Sequence, residues 1–226
     1  MNTIMEALRI ALTKGRLEQS AVALFERMGY DCTELHHKGR KLILTIPDGP
    51  IEVVLAKAPD VITYVEHGVC HVGVVGKDTI MEAETDAYEL YDLGFGCCRF
   101  ALAGKKGRDF FAGFGTKTIA SKYPNVTRRY FENLGLDVDV VKIEGSVELA
   151  PLLGLADAIV DIVETGSTLR ENGLEIYEEI APVSARILAN RAALKIRKAD
   201  IDQLLRRIET VMGADETGRE KGRDHR

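Results

Sequence analysis

Residues 157–170 read DAIVDIVETGSTLR. From Ala158 to Val163 the run is apolar and β-branched apart from one acid, Asp161, as in a buried strand of a parallel sheet. It meets Glu164-Thr165-Gly166-Ser167-Thr168, a turn of hydroxyls around a glycine, and Leu169-Arg170-Glu171 then opens a helix. A strand ending in such a turn offers backbone N–H groups, hydroxyl donors and the positive end of a helix dipole, which suit a phosphate monoester. The glycine lets the backbone come close to a ligand. Ser and Thr also cap helices for purely structural reasons, so the stretch alone leaves both readings open.

Upstream, Val138–Ile143 reads as a strand, and Gly145-Ser146-Val147-Glu148 starts a helix with Ser146 as its cap. Lys117–Ser121 is a strand and Asn125–Leu134 a helix stopped by Gly135. A polar, glycine-rich stretch from Gly104 to Gly115 leads into this second lobe. The first half has the same grammar. Leu8–Leu12 is a strand, Thr13-Lys14-Gly15-Arg16 a cationic turn, and the following helix turns Ala21, Val22, Leu24, Phe25 and Met28 to one face before Gly29. His36–Lys41 is a basic loop, and Leu42–Ile46 with Ile51–Ala56 forms a hairpin around Pro47-Asp48-Gly49-Pro50. A short helix starts at Pro59-Asp60 with Asp60 as cap, and His71–Gly76 is a strand followed by Lys77-Asp78. Tyr88–Ala103 is apolar and ends in the strand RFALA. Downstream, Leu174–Ala181 and Ala185–Leu194 are strands, the second returning to the first lobe. Asp200 caps a final helix carrying Ile201, Leu204, Leu205, Ile208, Val211 and Met212 at helical spacing, ended by Gly213; 214–226 reads as a disordered tail.

Strands alternating with helices imply an α/β protein of two lobes with largely parallel sheets: residues 1–100 with 184–213, and 101–183. One lobe's strand ends carry Lys14, Gly15, Arg16, Arg40, Lys57, Lys77 and Asp78; the other's carry Ser146, Glu148, Asp161 and Glu164–Thr168. Cations on one side, with a phosphate cradle and acids on the other, suit a polyanionic ligand or two ligands that meet.

Composition excludes other classes. Net charge is −5 with no Trp, and no basic stripe is interleaved with aromatics, so nucleic acid is not expected. Apolar runs are far shorter than the ~20 residues of a membrane span. The N-terminal segment carries Glu6 and Arg9 within its apolar part and does not read as a signal peptide. Cys32, Cys70, Cys97 and Cys98 form no CxxC pair and are expected as reduced thiols in the cytoplasm. His67, Cys70 and His71 are close together, but Gly68 breaks the i, i+4 face that a helical zinc pair needs.

Four segments together resemble the ATP phosphoribosyltransferase family: ALTKGRLEQS (11–20), DVITYVEHGVCHVGVVGKD (60–78), SKYPNVTRRYF (121–131) and GSVELAPLLGLADAIVDIVETGSTLRENGL (145–174). The resemblance runs from about Leu8 to Met212 and is closest to the family's short form. It implies two α/β lobes like those of type II periplasmic binding proteins, with the active site in the cleft between the lobes. It implies the first step of histidine biosynthesis: adenine N1 of ATP attacks the anomeric carbon of 5-phosphoribosyl 1-pyrophosphate, and pyrophosphate leaves. It implies Mg²⁺ on the pyrophosphate, a homodimer, and a hetero-oligomer with a regulatory subunit similar to histidyl-tRNA synthetase. The short form alone is expected to lack histidine feedback inhibition. By residue, Thr165, Gly166, Ser167 and Thr168 would hold the ribose 5-phosphate, and Asp161 and Glu164 would meet the ribose hydroxyls. Arg16 and Arg40 would be the catalytic cations on pyrophosphate or the ATP phosphates. Lys14, Gly15, Lys57, Lys77, Ser146 and Glu148 would line the ATP or pyrophosphate subsite. Lys57 stands where the family usually has arginine, Ile62 where proline is common and His71 where Asp is common. Orotate-type phosphoribosyltransferases carry two consecutive acids before a similar loop, whereas here Ile162 follows Asp161. A two-lobed module that binds a small molecule without turning it over is the alternative.

Overall fold

The computed structural model describes residues 7–47, 49–113 and 115–221, and side chains only as far as Ala214. Asp48 of the hairpin turn, and residues 1–6 of the segment read against a signal peptide, lie outside the described residues. Contacts divide the chain into two compact units. The first holds the chain up to Thr79, Thr85–Gly96 and everything from Ala185; the second holds Ile80–Glu84 and Cys97–Ser184.

The first unit begins with β1 (Leu8–Thr13), α1 (Arg16–Arg27), α2 (Thr33–His36), β2 (Ile43–Ile46), β3 (Ile51–Ala56), α3 (Ala58–Glu66) and β4 (Val72–Gly76). Helix α4 (Lys77–Ala83) follows, with Lys77–Thr79 in the first unit and the rest in the second, and strand β5 (Tyr88–Asp92) belongs to the first unit again. The second unit contains β6 (Cys98–Lys105), β7 (Lys117–Ser121), α5 (Pro124–Asn133), β8 (Val138–Lys142), α6 (Leu149–Leu152), β9 (Ala158–Val163), α7 (Ser167–Glu171) and β10 (Leu174–Val183). The chain then re-enters the first unit with β11 (Ala185–Ala189), α8 (Ala193–Ile196) and α9 (Lys198–Lys221).

The first sheet runs β2-β3-β1-β4-β11-β5 and the second β10-β6-β9-β7-β8. In the first, β1 pairs parallel with β3 and β4, while β2, β11 and β5 pair antiparallel. In the second, β7 pairs parallel with β8 and β9, and β6 runs antiparallel to β9 and β10. Both sheets are therefore mixed, not largely parallel. Strands that recross between units arrive in whichever direction their connection allows, and buried apolar runs look alike in either direction.

Alternation along β1, β3 and β4 buries Ile10, Leu12, Val53 and Val74 against Ala21, Leu24 and Phe25 of α1 and Ile201, Leu204 and Ile208 of α9. In the second unit Phe100, Leu102, Val160 and Phe131 pack one face of the sheet, and Ala101, Ile159, Val163 and Leu169 the other. Ile80–Glu84 is held in the second unit by α5. Glu82 accepts the Asn125 and Val126 N–H groups at 3.0 and 3.1 Å, and Glu84 pairs with Arg129.

Several local expectations change. Helix α3 is entered from Lys57, with Asp60 inside the first turn. Strand β11 stops at Ala189 because Asn190 Oδ1 takes the Ala192 and Ala193 N–H groups, which turns the chain into α8. Asp200 lies inside α9 and bonds Arg197 at 2.7 Å instead of capping. Helix α9 runs through Gly213 to Lys221, so 214–221 is helical rather than disordered, and 222–226 lies outside the described residues. The two interior glycines, Gly213 and Gly218, cost only about 1 kcal/mol each, and Glu216, Arg219 and Glu220 favour helix. Among the described residues no helix is long and apolar enough to cross a membrane.

Candidate active site

In the first unit the sheet's register gathers the expected cations at one end. Strands β1, β3 and β4 are parallel, so Lys14-Gly15-Arg16, Lys57 and Lys77 all follow C-terminal strand ends. Strand β2 runs the other way and starts at that same end, which brings Lys38-Gly39-Arg40 there too. Gly15 caps α1 with φ +99°, a left-handed conformation that disfavours a side chain. The Lys14 N–H bonds Ala56 O at 2.9 Å and Thr13 Oγ1 donates to Val74 O at 2.9 Å, so the turn is fixed to both neighbouring strands. Among the described residues, the exposed side chains of Lys14, Arg40 and Lys57 have no hydrogen bond or ion pair.

Three residues that the sequence reading passed over organise this end. Glu18, in the first turn of α1, is only 6% exposed and forms an ion pair with Lys38, which ties the Arg40 loop to the Gly15 turn. Glu34 bonds Lys41 Nζ at 2.8 Å, and this hydrogen bond, helped by the Thr45 N–H, holds its carboxyl below the usual range. Glu89 pairs with Lys77 and, at 3.1 Å, with Arg186, so Lys77 is a partnered cation. Glu18 carries a local signal, since it stands three residues after the Gly15 cap and accepts the Gly15 N–H at 3.4 Å, whereas only the pairing of distant elements marks Glu89.

In the second unit, strand, glycine turn and helix form as the sequence implies. Asp161 lies opposite Ala101, one residue beyond the last β7–β9 pair at Ser121 and Val160. A small neighbour on one side and a finished strand on the other leave this acid half-buried in the row between Ile159 and Val163. Gly166 is buried with φ +71° and caps α7. Thr165 and Ser167 hydroxyls are 3.0 Å apart, and Glu164, Thr165, Ser167 and Thr168 are exposed. Two guanidinium groups hold the loop by its carbonyls: Arg170 on Thr165 O at 3.0 Å and Arg99 on Glu164 O at 3.1 Å. Helix α7 has only five residues, so its donors rather than a macrodipole face a ligand.

Ser146 does not cap a helix. Helix α6 starts at Leu149, and it is the Ser146 carbonyl that accepts the Leu149 N–H, at 3.4 Å. Val147 is fully buried with Val163 and Leu169, which carries Ser146 and Glu148 to the same end of the sheet as the 164–168 loop. Burial of Val147 sets this turn, and the Ser146 hydroxyl stays exposed. Among the described residues no three His, Cys, Asp or Glu side chains form a metal cage. His71 Nδ1 accepts the Arg9 N–H at 2.9 Å.

Comparison with known proteins shows the family and the fold. The ATP phosphoribosyltransferase family model matches residues 57–210. An ATP phosphoribosyltransferase of Clostridium kluyveri is 58% identical over 89% of this chain and 92% of its own. One from Listeria innocua is 53% identical over 94% of this chain and the whole of its own. Among solved structures, the ATP phosphoribosyl transferase (HisG:HisZ) complex from Thermotoga maritima superposes with TM-score 0.79 at 34% identity, over 92% of this chain and 99% of the other. The periplasmic aliphatic sulphonate binding protein SsuA from Escherichia coli superposes with TM-score 0.60 at 15% identity, over 96% of this chain and 76% of its own, a likeness of fold alone.

Proposed function

The chain belongs to the ATP phosphoribosyltransferase family of pentosyltransferases, and from that premise we propose how its residues divide the first reaction of histidine biosynthesis. The 5-phosphoribosyl group of 5-phosphoribosyl 1-pyrophosphate passes to N1 of ATP, giving phosphoribosyl-ATP and pyrophosphate. The observation that carries the assignment is the 164–168 loop, where Gly166 holds a left-handed turn and exposed hydroxyls flank it. Thr165–Thr168 bind the ribose 5-phosphate, with Arg170 and Arg99 holding the loop in shape from behind. Asp161 and Glu164 meet the ribose hydroxyls. Neutral adenine N1 carries no proton, so attack needs no dedicated base. The sugar gains positive charge as pyrophosphate leaves with negative charge, so the work is positional and electrostatic. Arg16 and Arg40 serve the departing pyrophosphate or the ATP phosphates; Lys14, Gly15, Lys57 and Lys77 of the first unit, and separately Ser146 and Glu148 of the second, are weaker contacts for ATP or pyrophosphate. Arg40 suits the leaving group best, since it shares with Lys14 and Lys57 an exposed side chain with no partner among the described residues and alone of the three offers a guanidinium fork.

Mg²⁺ belongs to this reading. Asp161 and Glu164 are hard carboxylates three residues apart at one strand end, a donor set that fits an ion held mainly by substrate phosphates. When bound, the ion would neutralise pyrophosphate charge. A homodimer, a hetero-oligomer with a histidyl-tRNA-synthetase-like subunit and a cytoplasmic location complete the proposal. Exposed Leu149, Leu152, Leu153 and Leu155 support a partner surface.

Pyrophosphate release from the purified chain with Mg²⁺, each substrate omitted in turn, tests the reading. Dependence on both substrates is expected, with kcat lowered ~10²-fold in Arg40→Ala. No release, even with the synthetase-like subunit added, would leave a binding module and overturn it.

A further inference from the structure

The second unit has a cavity of about 260 Å³ at the end of β9 away from the 164–168 loop: Asp157, just before the strand, lines it, whereas Glu164 follows the strand. Its other walls are Lys105 at the end of β6, Arg108 in the next turn, Thr118 on β7, and Pro151 and Leu155 around α6. Among the described residues, the Lys105 and Arg108 side chains and the Thr118 hydroxyl have no hydrogen bond or ion pair. The nearby acids are occupied. Asp157 Oδ2 accepts the Thr118 N–H at 2.9 Å, and Glu175 Oε1 accepts the Gly107 N–H at 2.8 Å.

Two cations and a hydroxyl therefore converge on one concave space against a single carboxylate that is already bonded. A guanidinium fork, an ammonium and a hydroxyl are the donors that recognise a tetrahedral oxyanion. The volume suits a phosphate group on a small body and falls below the ~300 Å³ at which sites for drug-sized ligands begin. We propose that this pocket is a second anion site, which takes the phosphate group of a small molecule and is separate from the 164–168 loop.

The full-length chain is titrated with inorganic phosphate at constant ionic strength, and backbone amide shifts are followed by NMR. The amides of Thr118, Gly154 and Asp157 are expected to shift saturably, with chloride unable to reproduce the change. In the Lys105→Ala/Arg108→Ala double variant their midpoint should rise at least about tenfold, the loss of charged hydrogen bonds, while any shift at Gly166 keeps its own midpoint. Arg108 is exposed, so Arg108→Ala alone serves if the double variant does not fold, with a smaller rise expected. Unmoved amides, an equal response to chloride, or an unchanged midpoint in the variants would overturn the proposal.

Discussion

Gly166→Ala tests the candidate site at its least replaceable position. With φ +71° the residue sits where an L side chain costs about 1–2 kcal/mol. An added Cβ would lie 3.2 Å from an Arg170 guanidinium nitrogen, inside ordinary van der Waals contact. Arg170 is exposed and can swing away, but it then releases the Thr165 carbonyl that it holds at 3.0 Å. That exposed bond adds about 0.5 kcal/mol. The total is about 2 kcal/mol, which lowers Tm by roughly 4–8 °C in a chain of this size. The larger effect falls on binding, because the turn sets the aim of the Ser167 and Thr168 donors. KM for 5-phosphoribosyl 1-pyrophosphate should rise ~10-fold or more, with a smaller change for ATP. Thermal melts and initial rates with each substrate varied give both numbers. Gly166→Asn, a residue that tolerates the left-handed region, should melt between the two. A Gly166→Ala protein with wild-type Tm and KM would refute the reasoning, since neither the strained turn nor its hold on the loop would then matter.

Lys57→Arg restores a bidentate donor where the chain has a single ammonium and should raise kcat/KM a few-fold; no change would remove Lys57 from the subsite. Lys38→Met leaves the nearly buried Glu18 without its cation and should destabilise the first unit by about 1–3 kcal/mol in urea melts, and a smaller loss would show that the pair is dispensable. Burial pushes the Cys32 and Cys70 thiols up to about 11, from an ordinary value of 9.0, so at pH 8 they should resist a disulfide reagent while the exposed Cys97 reacts. Each buried thiol holds its proton more tightly folded than unfolded. Its contribution is present below pH 9.0 and lost as pH rises towards about 11, and a Cys32→Ala/Cys70→Ala variant should lose less stability over that interval.

Sequence alone determined what is local in this protein. The apolar run of β9, the glycine turn after it and the Leu169 anchor are contiguous residues whose conformations follow from their own chemistry. The same holds for the Gly15 turn, the β2–β3 hairpin and the inward face of α1. Tertiary structure decided what depends on direction and distance. Strands β10 and β11 are antiparallel because of where the chain recrosses between units, and apolar runs do not encode polarity. Helix α6 starts at Leu149 because burial of Val147 outweighs Ser146 as a cap. The partners of the site's cations are remote in sequence, Lys38 from Glu18 and Lys77 from Glu89, and only packing brings them into range. Conformational preference acts over a few neighbouring bonds, whereas an ion pair or a sheet register needs both partners in place, and the whole fold sets that.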